Sequence, residues 1–475
     1  MGANAISHDL LVVGGGLAGM STAIRAAELG LHVRVFERGT GQHYLCNSRY
    51  TGGLFHIGMD DMGSSPEDII ERLARVTGGE GNPALAATLA RNAKRAIAWL
   101  RAQGVGLIRV GPDGLRQHSL APPGVRNTGL NWRWRAGDVM LRTLNQRLRD
   151  LGVTFDQGVT ARRLIMKNGC VRGLEVERNG RTERFDAPVV AICDGGFQGN
   201  RALVGKYISP APERLLMRNA ETGLGYGLLM AEEAGAKLVG MGTFYGHIQY
   251  RDAMTDGRFW PYPVLDSLCV SALLINAEGK RFCDESLGGV HVTNAMARLA
   301  DPHGCHVVFD EAIWQGPGRD WLLPANPYLI KAGGKLISAP TLEALADKIG
   351  LGPDVLKASV ESWNAAVEGK TAFSPHRSNP AYKPHAIRQG PFHALPLCAG
   401  ITYTMGGILT NAAAQVLDQD DRPIPGLLAV GACTGGLEGF SRSGYSGGLS
   451  KSATFGMIAG ETAATLARAS LMEAV

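Results

Sequence analysis

The fold of this chain is decided by the stretch Asp9-Leu10-Leu11-Val12-Val13-Gly14-Gly15-Gly16-Leu17-Ala18-Gly19. Its aliphatic residues 10–13 are typical of a buried parallel strand, and the spacing GxGxxG follows at Gly14, Gly16 and Gly19. In a strand–turn–helix unit, the first glycine permits a tight turn, the second lets a pyrophosphate approach the backbone, and the third allows close helix packing. The pattern predicts a dinucleotide-binding turn.

The residues that follow this turn support the same interpretation. Leu17 and Ala18 begin a helix predicted to reach residue 29, whose N-terminus offers N–H donors and a positive dipole to a pyrophosphate. A second strand at 31–36 ends in Glu37, about 20 residues past the glycines, where a carboxylate accepts hydrogen bonds from a ribose hydroxyl. The motif alone does not choose between FAD and NAD.

Length and composition bound the class of protein. The 475 residues are enough for roughly two to three domains, and 45% hydrophobic with 19% charged residues is typical of a soluble globular chain. The net charge of +5 comes without a Lys/Arg run, so neither nucleic-acid binding nor a membrane-surface role is expected. The sequence has no apolar run of transmembrane length and no signal-peptide pattern, so we expect no membrane insertion and a cytoplasmic location.

The eight cysteines are scattered and form neither CxxC nor CxxCH. Haem attachment, zinc binding and iron–sulfur ligation therefore have no local support, and no metal site is expected. Scattered cysteines without a secretion signal also fit a reducing cytosol.

Further glycine-rich blocks punctuate the chain. The loop 46–53 is polar and ends in a Gly pair; after a dinucleotide unit it could wrap a second phosphate or a flavin ring, and a plain surface loop is the alternative. Buried-strand patterns run into Asp194-Gly195-Gly196 and into Gly431-Ala432. Residues 442–448 lead into a C-terminal helix, whose N-terminus could stabilise charge on a reduced flavin. The sequence has no second GxGxxG, which argues against a reductase with separate FAD and NAD(P)H units.

The segment 242–373 differs from the rest of the chain, since it is less strand-like, richer in Pro and Trp, and carries helix patterns near 342–348 and 354–368. We expect an inserted lid domain there, because loops and inserted segments usually carry substrate specificity. The predicted domains are accordingly 1–241, 242–373 and 374–475, with the first and last forming one nucleotide-binding domain.

With these motifs in this order, the chain resembles the fumarate reductase/succinate dehydrogenase flavoprotein superfamily over nearly its whole length. The loop Asn47-Ser48-Arg49-Tyr50-Thr51-Gly52-Gly53 is most similar to that of tricarballylate dehydrogenase-type members, and 275–285 is similar to the family's N-x-x-G-x-R-F-x-x-E stretch. The resemblance implies an α/β fold: a Rossmann-like FAD-binding domain with an inserted α+β capping (lid) domain. It also implies non-covalent FAD, because Arg49 follows Ser48 where succinate dehydrogenases place the histidine that attaches FAD.

The same resemblance assigns the parts of FAD to positions in this chain. Adenosine is expected at Glu37, the pyrophosphate at Gly14–Gly19, and the isoalloxazine at Ser48–Gly53 and Gly448–Ser450. The expected cofactor-binding residues are Gly14, Gly16, Leu17, Ala18, Gly19, Glu37, Arg38, Asn47, Ser48, Thr51, Gly52, Gly53, Ala161, Asp194, Gly195, Gly196, Gly431, Ala432, Gly448, Leu449 and Ser450.

On the substrate side the resemblance is mixed. Arg442 falls on the family's carboxylate-binding arginine, and a guanidinium can hold a carboxylate through two hydrogen bonds. His247 lies in the segment where fumarate reductases place a substrate histidine. Gly289 and Trp314 stand where the fumarate enzymes have arginines, and Thr402-Tyr403 replaces their His-His pair. These departures count against fumarate and favour a bulkier or less charged substrate.

The predicted function is an FAD-dependent oxidoreductase that moves a hydride between flavin N5 and a substrate carbon, interconverting C–C and C=C beside a carboxylate or carbonyl. The candidate catalytic residues are Arg442 as the charge-stabilising group, Tyr403 and Tyr445 as proton carriers, and His247. Tyr445 stands in a Tyr-x-Gly-Gly context similar to that of 3-ketosteroid Δ1-dehydrogenases, where a tyrosine polarises the ketone. A packed aromatic is the alternative for each tyrosine, and a structural histidine is the alternative for His247.

Other functions stay open on the sequence alone. A 3-ketosteroid-type activity would act on a bulkier ketone, and an NAD-dependent dehydrogenase would use the same turn, although the extra glycine blocks count against it. The changes at Gly289 and Trp314 favour a non-catalytic flavin-binding subunit, while Glu285 is expected to pair with a neighbouring cation. The substrate is expected to be a small carboxylate or ketone. Without a haem or iron–sulfur motif, the electron acceptor is expected to be oxygen, a quinone, a free nicotinamide or another protein.

Overall fold

The computed structural model describes residues 8–124, 132–320 and 324–473, with side chains as far as residue 470. Its six-stranded nucleotide sheet contains, in spatial order, Gln415–Leu417, Pro423–Ala429, Val189–Ile192, Leu10–Val13, Val33–Glu37 and Thr154–Gln157. The first of these pairs antiparallel with its neighbour, and the other pairs are parallel. The central strands are aliphatic and fully buried, as expected of parallel strands covered on both faces. The predicted α/β class is confirmed.

The glycine turn connects the strand Leu10–Val13 to the helix Leu17–Glu28, as predicted. Gly14 has a φ of +102°, and a Cβ there would lie 2.6 Å from the carbonyl oxygen of Cys193, so only glycine fits. A Cβ on Gly19 would overlap the Gly14 carbonyl oxygen, so this glycine lets the helix pass closely over the turn.

The C-terminal helix packs along the helix Leu17–Glu28, and this approach is close because a Cβ on Gly456 would lie 2.6 Å from that of Ser21. Proline follows a capping side chain at Ser65 and at Asn82, where two long helices begin. The helices are Leu17–Glu28, Pro66–Thr77, Pro83–Ala102, Ala136–Asp150, Arg201–Tyr207, Tyr226–Glu233, Asp266–Ser271, Gly289–Ala297, Glu311–Gln315, Ala325–Lys331, Leu342–Ile349, Pro353–Val367 and Gly448–Glu473. Within the described ranges, no helix combines the length and apolarity needed to cross a bilayer. The cytoplasmic location stays a prediction.

The cap sheet is organised around the long strand Phe392–Thr404. This strand pairs in antiparallel fashion with Phe244–Tyr250, His306–Asp310 and Ile337–Ala339, and in parallel with Leu216–Met217, while Leu273–Ile275 adds an edge next to His306–Asp310. The sheet therefore draws strands from both sides of the segment 242–373, and the domain boundaries stay a prediction. At its end, the Thr404 hydroxyl accepts a hydrogen bond from the Phe197 N–H at 3.2 Å, which ties the cap to the nucleotide sheet.

Smaller sheets surround these two layers. One of them consists of three antiparallel strands, Val159–Lys167, Cys170–Arg178 and Arg181–Asp186. The others are formed by Leu54–Phe55, His118–Leu120 and Leu107–Ile108, and by Leu238–Val239 with Gly407–Ile408.

Candidate active site

A cavity lies between the nucleotide sheet and the cap sheet, at the carboxyl ends of the parallel strands. We call one part the nucleotide end, lined by Gly14–Ala18, Glu37, Arg38, Ala161 and Asp194–Gly196. We call the other part the reaction end, lined by Arg218, Tyr245, His247, Trp260–Tyr262, Thr402, Tyr403 and Tyr445. The loop 46–53 lines the cavity together with both ends, as one elongated ligand would require.

At the nucleotide end, the Glu37 carboxylate accepts hydrogen bonds from the backbone N–H groups of Gly15, at 2.8 Å, and Gly39, at 2.6 Å. Burial raises the pKa of Glu37, while these two N–H groups and nearby arginines oppose that shift. The Ser48 hydroxyl accepts a hydrogen bond from the Leu17 N–H at 3.0 Å. The predicted flavin loop is therefore in direct contact with the start of the dinucleotide helix.

Two cavity-lining side chains in the described ranges carry a buried oxygen with no hydrogen-bond partner, Asp194 at Oδ1 and Gln198 at Oε1. The other Asp194 oxygen accepts from the Gly227 N–H at 2.7 Å, and burial raises the pKa of Asp194 to about 6. Because buried oxygens in proteins are normally satisfied, these two fit a ligand that brings hydroxyl or N–H donors. With the exposed glycine backbone for phosphates, the nucleotide end fits FAD.

The cavity wall contains all but three of the predicted cofactor-binding residues. Gly19 lies behind the turn, as described above. Gly431 packs on the dinucleotide helix, where an added Cβ would lie 2.9 Å from that of Ala18. The Ser450 hydroxyl donates to the His56 carbonyl at 2.7 Å and so holds the wall from behind. The individual contacts with FAD stay predictions.

Arg49, which replaces the attachment histidine of the family, supports the flavin loop from outside the cavity. Its side chain is buried, pairs with Asp138, and donates from Nε to the Tyr44 carbonyl at 2.7 Å. The neighbouring Asn47 and Ser48 then line the cavity.

Three tyrosines form a cluster at the reaction end. The rings of Tyr245 and Tyr445 stack with centroids 3.8 Å apart, and the Tyr403 ring lies 5.6 Å from that of Tyr245. The N–H of Gly448, the first residue of the C-terminal helix, donates to the Tyr445 hydroxyl at 3.1 Å. A Cβ on Gly448 would lie 3.2 Å from the Tyr403 hydroxyl. Both predicted tyrosines therefore meet at a glycine predicted to contact the isoalloxazine.

Tyr403 is also part of a buried polar network. Its hydroxyl donates to Glu438 Oε1 at 3.1 Å, Lys451 Nζ donates to the same oxygen at 3.2 Å, and Ser446 binds the other oxygen. Burial, strengthened by the charge of Glu438, raises the pKa of Tyr403 well above its usual value. Burial and the neighbouring Tyr245 likewise raise the pKa of Tyr445 well above its usual value. Both phenols therefore keep their protons at neutral pH.

His247 lies in the cavity wall and is held on both sides. Its Nδ1 is 2.7 Å from Asp266 Oδ2, and its Nε2 is 2.9 Å from the Tyr245 hydroxyl. The second oxygen of Asp266 accepts from the Ile248 N–H at 2.9 Å. Because a carboxylate only accepts, Nδ1 carries the hydrogen and Nε2 accepts from Tyr245. Burial lowers the pKa of His247, although Asp266 opposes this shift.

Arg442 does not line the cavity, and its role at the substrate stays a prediction. The side chain is exposed, donates to the Arg75 carbonyl at 3.3 Å, and packs 3.1 Å from the site of a Cβ on Gly78. The physical reason is a bridge between Gly439 and Gly444, which turns this segment onto the helix Pro66–Thr77 before the chain enters the cavity.

Arg218 is the arginine that the structure places at the reaction end. It is half-buried, its Nη1 donates to the Thr402 hydroxyl at 3.1 Å, and its Nε and Nη2 lie 3.4 and 3.3 Å from the Pro261 carbonyl oxygen. All these partners are neutral oxygens. Its charge lowers the pKa of His247 and opposes the increase at Tyr245, so it lies close to both.

Glu285 and Trp314, which were also compared with the family, both have structural roles in the cap. Glu285 is fully buried and pairs with Arg281 at 2.5 Å and Arg377 at 3.2 Å, which confirms the expected pairing with a cation. Trp314 is buried and stacks on Phe309 with centroids 5.7 Å apart, so a core side chain occupies the place of the family's second arginine.

Sequence reasoning missed Tyr245, Asp266, Arg218, Glu438 and Lys451. One of them had a local signal: Tyr245 and His247 are two residues apart in a strand pattern, which places both on one face. The others come from distant segments, so only the tertiary structure brings them to the site.

The FAD binding domain family matches residues 9–447. The chain belongs to this family, within the fumarate reductase/succinate dehydrogenase flavoprotein superfamily. NADH:fumarate oxidoreductase of Klebsiella pneumoniae (strain 342) is 28% identical to the flavoprotein, over 97% of this chain and 48% of the relative. The 4-oxocyclohexanecarboxylate 2-dehydrogenase of Sinomonas cyclohexanicum is 32% identical, over 59% of this chain and 52% of the relative. The chain thus spans about half the length of these relatives.

Among solved structures, the flavoprotein is similar to 3-ketosteroid-Δ4-(5α)-dehydrogenase from Rhodococcus jostii RHA1 in complex with 4-androstene-3,17-dione. The TM-score is 0.73 at 21% identity, and the match covers 98% of each chain, which shows a common fold. The cofactor of the flavoprotein is FAD, as predicted, and the alternative of an NAD-binding turn is removed.

Proposed function

We propose that this flavoprotein is an FAD-dependent oxidoreductase that interconverts a C–C single bond and a C=C bond next to a carbonyl group. The observation that carries the proposal is the convergence of Tyr403, Tyr445 and the Gly448 N–H at the reaction end. FAD, when bound, accepts or supplies a hydride. The Gly448 N–H donates to the Tyr445 hydroxyl, and this phenol can turn its own proton toward a carbonyl oxygen and stabilise the negative charge that develops there during such a reaction.

The substrate we favour carries both a ketone and a carboxylate. Arg218 supports the carboxylate, because its guanidinium binds only neutral oxygens among the described residues and can form two charge-assisted hydrogen bonds to an anion. The Sinomonas relative is named for 4-oxocyclohexanecarboxylate, which combines these two groups on a ring. The aromatic wall formed by Trp260 and Tyr262 suits such a ring, and the buried Trp260 Nε1 has no hydrogen-bond partner within the described ranges.

A ketone without a carboxylate is the second candidate, as in the 3-ketosteroid prediction. It is supported by the same aromatic wall and by the tyrosine cluster, and it would leave Arg218 without an anion. Tricarballylate is less well supported, because Lys451, a second cation in the cavity wall, is already paired with Glu438. A non-catalytic flavin subunit is the outcome if no carbon substrate reacts.

We further propose that FAD is held without a covalent bond. The support is Arg49, which stands at the family's attachment position and is turned toward Asp138. Acid precipitation should release yellow FAD into the supernatant, and yellow colour that stays with the precipitated protein would contradict this proposal.

The first test is the visible spectrum of the purified flavoprotein under anaerobic conditions. We would add 4-oxocyclohexanecarboxylate, 4-androstene-3,17-dione, tricarballylate or succinate and follow the oxidised flavin band. We expect the oxo acid to bleach it. If no saturated probe does so, dithionite-reduced enzyme is offered fumarate, urocanate and 2-cyclohexenone, and return of the band establishes a reductase.

The outcomes separate the candidates. Bleaching by the steroid alone favours the simple ketone, and bleaching by tricarballylate alone favours the dehydrogenase type that the flavin loop resembles. A yellow protein that is inert with every probe in both directions would count against the proposed reaction and favour the non-catalytic subunit.

A further inference from the structure

We propose that Tyr245, His247 and Asp266 form a proton relay in which Tyr245 exchanges a proton with the substrate carbon and Asp266 positions His247. This inference rests on the proposed function and adds the acid–base residue that the reaction needs. Tyr245 lines the reaction end, and its hydroxyl is 2.9 Å from His247 Nε2. His247 is in turn 2.7 Å from the Asp266 carboxylate.

A second group of contacts connects Tyr245 to the predicted flavin contact. The ring of Tyr445 stacks on that of Tyr245 with centroids 3.8 Å apart. The Gly448 N–H donates to the Tyr445 hydroxyl at 3.1 Å. Tyr245 therefore lies between the start of the C-terminal helix, where the isoalloxazine is predicted, and the hydrogen bonds that lead through His247 to Asp266.

The relay has room because residue 289 is glycine. A Cβ on Gly289 would overlap the Asp266 carboxylate, so any side chain at this position would displace the group that orients His247. Glycine in place of arginine at position 289 counted against fumarate as the substrate. The same glycine leaves room for the Asp266 carboxylate and so makes the proposed relay possible.

The chemistry of the relay balances. In the oxidative direction, the substrate α-carbon gives a proton to the Tyr245 oxygen while the Tyr245 hydroxyl proton moves to Nε2 of His247. FAD, when bound, would take the hydride of the β-carbon, and with it two electrons, so that the C=C bond forms. The imidazolium is paired with Asp266 and later releases its proton to water. The reductive direction reverses each transfer.

The protonation states suit this sequence. Burial raises the pKa of Tyr245 well above its usual value, so a free tyrosinate does not form at neutral pH, and the proton must move to His247 as another arrives. Burial lowers the pKa of His247, which keeps Nε2 available as an acceptor. The other titratable groups around the relay are Arg218, Tyr262, Tyr403 and Tyr445 on the cavity side, and Cys269 and Tyr382 on the Asp266 side.

The first experiment reads the tautomer of His247 by ¹⁵N NMR of histidine-labelled holoenzyme, with H247Q to assign the signal. We expect hydrogen on Nδ1 in the unaltered protein. In D266N, the Ile248 N–H holds the amide oxygen, so the amide NH₂ faces Nδ1 and forces the hydrogen to Nε2. A wild-type histidine already protonated on Nε2, or one that D266N leaves unchanged, would overturn the relay.

The second experiment measures turnover with the probe that reacts with the wild type in the test above. We expect Y245F and D266N each to slow flavin reduction by about 10²–10⁴-fold, with FAD content retained. The double variant should be no slower than Y245F, since the residues act as one unit. The acid limb of the wild-type rate, which reports protonation of His247, should be absent in Y245F. The control is Y250F, which removes a phenol from the same strand outside the cavity and should change the rate less than twofold.

These results distinguish the two proposals. A reactive wild type whose variants keep both rate and pH profile overturns the relay and leaves the proposed function standing. A wild type that reacts with no probe overturns the proposed function and, with it, the catalytic role of Tyr245. G289A is a further check, because its Cβ should displace the Asp266 carboxylate and slow flavin reduction without altering a polar group.

Discussion

The nucleotide end of the cavity is formed mainly by backbone, and the reaction end mainly by side chains. At the nucleotide end, a ligand would face mainly the backbone of 14–18, together with the carboxylates of Glu37 and Asp194. At the reaction end, it faces side chains from separate segments, such as Arg218, Tyr245 and Tyr403. A site made of backbone depends on a conformation that a single substitution can abolish. In a site made of side chains, a substitution removes one interaction and leaves the others in place. Substitutions should therefore act in an all-or-none way at the first end and by degrees at the second.

The largest effect should come from Gly14→Ala. With a φ of +102° and the Cys193 carbonyl oxygen 2.6 Å from an added Cβ, the turn has to move, and we expect protein without FAD. The matched control is Gly30→Ala, which has a φ of +89° and open space around its Cβ. It should cost only about 1 kcal/mol and keep the yellow colour. The ratio of flavin to protein absorbance measures the FAD content of both variants. If G14A and G30A contain equal amounts of FAD, the nucleotide end does not respond in an all-or-none way.

The next effect concerns the buried pair at the reaction end. Lys451 is 2% exposed and Glu438 is fully buried, so Lys451→Met leaves a carboxylate without its cation. We expect the free energy of unfolding to fall by about 3–5 kcal/mol in urea titrations. Adding Glu438→Gln should recover most of this loss, because the uncompensated charge is then gone. A double variant as unstable as K451M would contradict a pairwise network.

A third effect tests burial at the boundary between the two ends, where His56 lines the cavity and contacts Tyr445. Burial lowers the pKa of His56 from 6.5 to about 4. The unfolded chain therefore binds the proton first, so the stability due to this residue is complete above pH 6.5 and is lost as the pH falls toward 4. The loss should reach at most about 3 kcal/mol. His56→Asn should flatten the curve of unfolding free energy over this range, and the exposed His376→Asn should not.

The smallest effect should distinguish two arginines. Arg218→Gln should raise KM for an oxo acid by about 10–100-fold, because it removes a charge-assisted hydrogen bond, and leave KM for a neutral ketone within twofold. Arg442→Gln should leave both KM values unchanged within error, since Arg442 is exposed and lies outside the cavity wall. Steady-state kinetics with both probes decides the matter, and the reverse pattern would restore the sequence-based placement of Arg442.

The same division explains what could be predicted from the sequence. The turn at Gly14, the carboxylate at Glu37 and the loop 46–53 are local patterns, and the structure places all of them on one cavity. Arg442 was predicted at the substrate from its spacing alone, and spacing cannot show that a short bridge between Gly439 and Gly444 turns this segment away from the cavity wall. Asp266 carries no local signal, since its role depends on a histidine in a separate strand and on the absence of a side chain at position 289.

The absence of a side chain at position 289 also bears on how such sites diverge in evolution. Asp266 and a side chain at position 289 compete for one volume, so neither position can change freely while the other is occupied. An ancestor with arginine at 289 could acquire the aspartate only after, or together with, a change to glycine. Among homologues the two positions should covary, with aspartate at 266 accompanied by glycine at 289. Aspartate at 266 together with glycine at 289 would then identify a branch of the superfamily from its sequence.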